Sequence, residues 1–425
     1  MSTPSVEERP SVEERPELPA GFRAGGLSAG IKSSGRPDLG LIVVPGPEPA
    51  TAAAVFTANL VQAAPVRLSR RHLERTGGHA RAMVVTSGCA NAATGPAGDA
   101  DQAAVAEAVA GALDIDILET LAASTGLIGT RLPVDRVREG LGHLVSDALR
   151  EDASGWEAFG SAIMTTDSRR KVATTTVALP ADDLSLRQVR VSGVAKGVGM
   201  IHPRMATMIA VILTDAAASP ELLSSLLHEA SAATFEQLSV DGDTSTNDTV
   251  VVLASGASDA ESPRPGSSEA AQLGAALTAV CRSLARQQAA DGEGATTLIT
   301  CAVTGAADLT DARAVSRSVV ASSLLKAAVH GRDPNWGRVA AAAGAALRPD
   351  GSAVDLDPST LTIGLAGAPV FSGVPLPFDP AAVSAAMNAP ELLIEVDLGR
   401  GGASAEAFGC DLTEAYVLEN SAYST

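Results

Sequence analysis

Thr207 follows Ala206 and stands at the mouth of the apolar run 208–213, behind the small-residue loop "GVAKGVGMIHP". A threonine hydroxyl is a weak nucleophile and needs a nearby base. One solution makes the threonine the first residue of a chain, so that its own α-amine takes the proton. That requires cutting the peptide bond before it. The small Ala206 and the glycine-rich approach let the hydroxyl reach the scissile carbonyl, while the strand holds the chain rigidly beyond it. Strand propensity alone also accounts for a threonine at this junction. Acyl chemistry needs donors for an oxyanion, and "STG" offers the Thr125 hydroxyl and the Gly126 backbone N–H. Lys196, one of only four lysines, lies in the small-residue loop and can stabilise charge or bind a carboxylate. Glu293, between two glycines, can bind a substrate ammonium.

Polar and small-residue clusters recur at 87–95, 123–129, 163–171, 195–207, 240–251, 291–296 and 331–338. One such cluster is usually a turn; this many point to a shared pocket. Other chemistries fit less well. "KGVGMIHP" lacks the third glycine of a dinucleotide fingerprint, no Gly-Lys pair exists for a phosphate loop, and no GxSxG elbow occurs. "DGDTSTND", from Asp241, begins like a calcium loop but lacks its central glycine and carries Val252 at the twelfth position. The six histidines have no metal-ligand spacing, and a structural role suits His202, the one inside a polar loop. No metal site is expected.

The elements that must position these groups are read from composition and periodicity. The chain has 425 residues, 46% hydrophobic and 19% charged, enough for a large core. Aromatics make up 3%, so the core is built of Ala, Val, Leu and Ile in closely approaching elements. A net charge of −18 argues against nucleic-acid or anionic-membrane partners. Cys89, Cys281, Cys301 and Cys410 are scattered without zinc spacing, and no apolar stretch is long enough to span a membrane, so a cytoplasmic protein with reduced thiols is expected. The tandem SVEERP in residues 1–19 reads as a disordered tail. "LGLIVV", "RAMVVTSG", 208–213 and "TVVVLASG" read as buried strands. Helices are expected from "GDADQAAVAEAVAGAL", from "PELLSSLLHEASAATF" behind a Ser219 cap, and over 267–290 and 311–329. After about 350, short strands alternate with Gly and Pro. The mixture lacks a regular βαβ alternation and predicts a layered α+β architecture.

Together "KGVGM…P.MAT", "DGDTSTNDT", "DPNWGR" and the terminal "NSAY" carry a resemblance that runs from "GFRAGGLSAGIKSSGRPDL" to "ENSAYST". The chain is similar to the ornithine acetyltransferases, the bifunctional glutamate N-acetyltransferases of arginine biosynthesis. The resemblance implies an αββα sandwich, shared with self-cleaving aminopeptidases, with smaller C-terminal elements. It implies self-cleavage between Ala206 and Thr207 into a 20–206 fragment and a 207–425 fragment, the latter with a subdomain from about 300. Thr207 is then the acyl-carrying nucleophile, and Thr125 and Gly126 match the oxyanion pair. Thr165, Lys196, Thr207, Glu293, Asn420 and Thr425 match the substrate contacts. The implied reaction is ping-pong transfer of acetyl from N-acetylornithine to glutamate, without cofactor, in an α/β heterotetramer or larger assembly.

The chain departs from the family pattern at His202-Pro203-Arg204, where a small neutral triplet is usual. It departs again at Thr297 in place of a lysine, at Cys89 in place of Asn or Gly, and at Ala93 in place of Cys. These positions leave open a paralogue acting on another amino acid. An amide hydrolase on the same scaffold, or a binding protein without activity, would be separated from a transferase by product analysis with and without an amine acceptor.

Overall fold

The computed structural model describes residues 10–183, 185–202 and 208–422. Two sheets face one another. The first is four-stranded, in the order Arg23–Leu27, Leu39–Val43, Ala82–Cys89, Thr120–Leu127. The second is six-stranded, in the order His79–Ala80, Ala50–Phe56, Thr249–Ala254, Ile209–Thr214, Leu186–Lys196, Lys171–Pro180. The run expected as a strand at 208–213 is the strand Ile209–Thr214, antiparallel to Leu186–Lys196 and parallel to Thr249–Ala254.

Alternation along these strands explains their unbroken apolar character. Val211, Leu213, Val251 and Leu253 pack against Ile42, Met83, Val85 and Leu121 of the facing sheet. Their neighbours Ala210, Ile212, Val250 and Val252 point the other way, onto Leu223, Leu227, Leu277 and Leu284 of the helices Pro220–Ala233 and Ser268–Ala290. A strand buried on both faces has no polar side to show. The outer face of the four-stranded sheet is covered by Val105 and Val109 of the helix Gly95–Leu113 and by Val137 and Leu141 of the helix Val134–His143. The result is the layered αββα arrangement. Small residues permit the close approach: a Cβ on Gly193 would lie 2.8 Å from Leu284 Cδ1.

A third sheet runs Leu238–Ser239, Ala403–Cys410, Leu298–Ala306, Glu391–Asp397, Thr362–Leu365, Ala368–Ser372. Its core joins Ile299, Cys301 and Ile394 to Val315 and Val319 of the helix Leu309–Ala321.

Local signals place several boundaries. Ser219 accepts the Leu222 N–H at 3.3 Å, and Pro220 starts the helix behind it. The single helix expected over 311–329 is two, Leu309–Ala321 and Ser323–His330. Ser322, at φ −69° and ψ 106°, leaves the helical region and caps the second through the Leu325 N–H.

The expectation of a disordered tail over 1–19 is corrected for residues 10–19. Glu13 and Thr174 exchange backbone hydrogen bonds of 2.8 Å, Thr174 Oγ1 donates to the Arg15 carbonyl, Glu17 pairs with Arg190, and Leu18 is buried. The cause is the edge strand Lys171–Pro180, whose outward backbone groups offer partners that a charged composition does not reveal.

Candidate active site

Thr125 and Gly126 close the strand Thr120–Leu127 of one sheet, and Lys196 ends the strand Leu186–Lys196 of the other. Lys196 is therefore strand, not loop. The sandwich brings them together: Lys196 Nζ donates to Thr125 Oγ1 at 3.0 Å, with both residues buried. Because the Thr125 oxygen accepts this bond, its own O–H remains available as a polarised donor. Gly126 has φ +127°, and a Cβ there would run into the backbone of Gly88 on the paired strand, so this position tolerates no side chain. Burial lowers the Lys196 pKa from its ordinary value, and the carboxylates of Asp167, Glu293 and Asp248 oppose that shift.

Asp167 is the group beneath Lys196. It accepts the Gly197 N–H at 2.8 Å, the Thr165 N–H at 3.0 Å and the Lys171 ammonium at 2.6 Å. Lys171 also binds Asp291 at 2.5 Å. The polar segment 165–167 is thus tied to the ends of two strands and to the loop that carries Glu293.

Glu293 lies across the cavity. Its carboxylate accepts from Thr166 Oγ1 and from Asn420 Nδ2, each at 2.9 Å. Its backbone N–H donates to the Val198 carbonyl at 2.8 Å. A Cβ on Gly199 would collide with the Glu293 carboxylate, so glycine there is what lets the loop 197–201 approach. Among the described residues no cation pairs with Glu293, which leaves an anionic group facing a cavity of about 110 Å³. Thr125, Gly126, Thr165, Lys196, Glu293 and Asn420 all line that cavity.

Ala206, Thr207, Arg204 and Thr425 lie outside the described residues. The next residue after Thr207 is held firmly: the Met208 N–H donates to Asp248 Oδ1 at 2.9 Å. Asp248 is buried, and burial raises its pKa well above the usual carboxylate range. Sequence reasoning assigns no role to Asp167, Thr166, Asn247 or Asp248, although each lies in one of the polar clusters. Asn247 ties the loop residue Ala90 to the strand residue Ser124, donating from Nδ2 to their carbonyls at 2.7 and 2.8 Å, one residue before Thr125.

The departures fall largely outside the cavity. Thr297 donates its N–H to Asp411 at 2.9 Å, Cys89 is buried with its Sγ 3.3 Å from the Thr130 carbonyl, and neither they nor Ala93 line the cavity. His202 Nδ1 contacts Ser239 Oγ at 3.1 Å, in keeping with a structural role. Asp241 receives the Ile201 and Asp243 N–H groups at 2.9 and 3.1 Å as well as that of Met200, so its oxygens order backbone.

The sequence profile of the ArgJ family matches residues 23–425. The arginine biosynthesis bifunctional protein ArgJ of Thermosynechococcus vestitus is 46% identical over 422 residues, covering 95% of this chain and 96% of its own. The ArgJ of Deinococcus radiodurans is 44% identical over 417 residues, covering 96% and 98%. The crystal structure of the ArgJ of Bacillus halodurans superposes with a TM-score of 0.47 at 38% identity, over 50% of this chain and 98% of that one.

Proposed function

The chain belongs to the ArgJ family, and from that premise we propose how the cavity between its two sheets performs acetyl transfer. The protein is an N-acyltransferase of arginine biosynthesis that moves an acetyl group from N-acetylornithine to glutamate. The chain cuts itself between Ala206 and Thr207. The new α-amine of Thr207 takes the hydroxyl proton as the oxygen attacks the acetyl carbonyl of N-acetylornithine. The oxyanion is met by the Thr125 hydroxyl and the Gly126 N–H. The tetrahedral intermediate collapses, the C–N bond breaks, and the departing ornithine nitrogen takes the proton from the Thr207 amine. Glutamate then attacks the acetyl ester through its neutral amine, and N-acetylglutamate leaves with the Thr207 hydroxyl restored.

The observation that carries this reading is the 3.0 Å contact of Lys196 with Thr125 in the cavity that Glu293 faces. Lys196 polarises the oxyanion donor. Glu293, oriented by Thr166 and Asn420, takes the side-chain ammonium of N-acetylornithine, with Thr165 and Thr425 completing the pocket. The fragments assemble as an α/β heterotetramer or larger, which light scattering of the purified enzyme checks. We place the enzyme in the cytoplasm, and its four free, buried thiols suit that compartment.

A panel of N-acetylated amino acids as donors, each with glutamate, ornithine or water as acceptor, tests the reading. Efficient transfer only for the ornithine and glutamate pair is expected. Preferential release of free acetate would instead make the protein an amide hydrolase.

Two substitutions separate the roles. Thr125→Ala is expected to lower kcat by about 10²-fold to 10³-fold, as for loss of one oxyanion donor, with KM for N-acetylornithine little changed. Unchanged turnover would mean that Thr125 does not meet the oxyanion. Glu293→Gln is expected to raise KM for N-acetylornithine about tenfold or more through loss of a charge-assisted bond, with a smaller change in kcat. An unaltered KM would remove Glu293 from ammonium recognition.

A further inference from the structure

A second, open cavity of about 560 Å³ lies on the far side of the segment 164–166. Its walls carry Lys32, Arg36, Arg169 and Arg170, with Glu14 as the one carboxylate among the described lining residues. This is anomalous in a chain of net charge −18. Among the described residues, Lys32, Arg36 and Arg169 have no carboxylate partner, and Arg170 reaches Glu157 only at 3.8 Å. Other arginines of this chain hold acids closely, as Arg348 holds Asp311 at 2.6 Å and Arg282 holds Glu406 at 2.5 Å. Like charges gathered without counterions repel one another, and here burial, together with Arg36 and Lys196, lowers the Lys32 pKa to about 8 against the pull of Asp38. An anion in the cavity would relieve that repulsion.

We propose that this cavity is a binding site for a small oxyanion bearing two or more negative charges, and that its occupancy is felt in the acyl pocket. The connection is short. Lys32 Nζ donates to the Met164 carbonyl at 2.6 Å and Arg36 Nη2 donates to the Thr165 carbonyl at 2.8 Å. The next residue, Thr166, holds Glu293. An anion that draws Lys32 and Arg36 toward itself loosens those two carbonyls and with them the hydroxyl that orients Glu293. The coupling rests on Glu293 as the ammonium partner; the site itself does not.

Calorimetric titration of the intact enzyme with inorganic pyrophosphate and, separately, citrate, at constant ionic strength, tests the site without turnover. Its arms distinguish phosphate from polycarboxylate ligands. One equivalent of at least one probe is expected to bind. The double variant Arg36→Gln with Arg169→Gln should weaken that binding about tenfold or more, while Arg75→Gln, at an exposed position of the helix Ala64–Thr76, should leave it unchanged. No binding by either probe, equal binding in the double variant, or equal loss in Arg75→Gln overturns the site. With the bound probe saturating, KM for the donor is expected to rise at least about threefold in the unsubstituted enzyme and not in the double variant. Binding with unaltered KM would overturn the coupling alone.

Discussion

Thr207→Ala is expected to remain a single chain on a denaturing gel and to lose acetyl transfer by a factor on the order of 10⁴ or more, the scale on which removal of an acyl-carrying nucleophile acts. In the proposed scheme one hydroxyl serves both reactions, so both should fail together. Thr207→Ser keeps the hydroxyl and should retain cleavage, at a reduced rate because the methyl that restricts χ1 is gone. The residue directly after Thr207 is pinned through its N–H to the buried Asp248, and the strand beyond it is buried throughout. The substitution should therefore leave the melting transition nearly unchanged. Efficient cleavage of the same peptide bond in Thr207→Ala would mean that another group cuts the chain.

Loss of Asp167 should have the largest effect on stability. Its carboxylate is buried, yet Lys171 and Lys196 outweigh the burial and hold its pKa down at about 2. Asp167→Ala leaves Lys171 with Asp291 as its one carboxylate among the described residues and frees the Gly197 and Thr165 N–H groups inside the protein. Breaking a buried pair from one side costs about 3–5 kcal/mol, to be read from urea unfolding. Turnover should fall as well, because Gly197 follows Lys196, whose ammonium donates to Thr125. The depressed pKa sets the sign with pH. A free aspartate titrates near about 3.9. The Asp167 contribution is therefore complete above about pH 4 and disappears as pH falls toward 2. Unsubstituted protein should lose more stability across that window than Asp167→Ala. Parallel pH profiles for the two would show that Asp167 is not the ionised partner of Lys171.

The contrast between Thr125 and Asp167 shows what the sequence could reveal. Lys196 and Asn420 stand in motifs that carry the family resemblance, Thr125-Gly126 and Glu293 stand in short polar clusters, and one cavity gathers all of them. The helix behind Ser219 and the strand after Thr207 were legible because capping and an apolar run are local signals. Asp167 was not, because its meaning depends on Gly197 and on an ion pair between Lys171 and Asp291, which are 120 positions apart. Asn247 was missed for the same reason: what it holds, Ala90 and Ser124, lies more than a hundred positions away. The segment 10–19 misled because its composition is that of a free tail, and only the edge of a sheet formed much later in the chain gives Glu13 a backbone partner in Thr174. The break at Ser322 turned on one residue leaving the helical region, a detail that periodicity over 311–329 does not register.

As proposed, Thr207 is both the first residue of a cut chain and the carrier of the acetyl group. Intact-protein mass spectrometry of the purified enzyme, before and after incubation with N-acetylornithine in the absence of glutamate, tests both halves at once. Two fragments are expected, the second beginning at Thr207, with that fragment alone gaining one acetyl group and losing it when glutamate is added. An uncut chain, or an acetyl group found on the first fragment or on any residue other than Thr207, would contradict it.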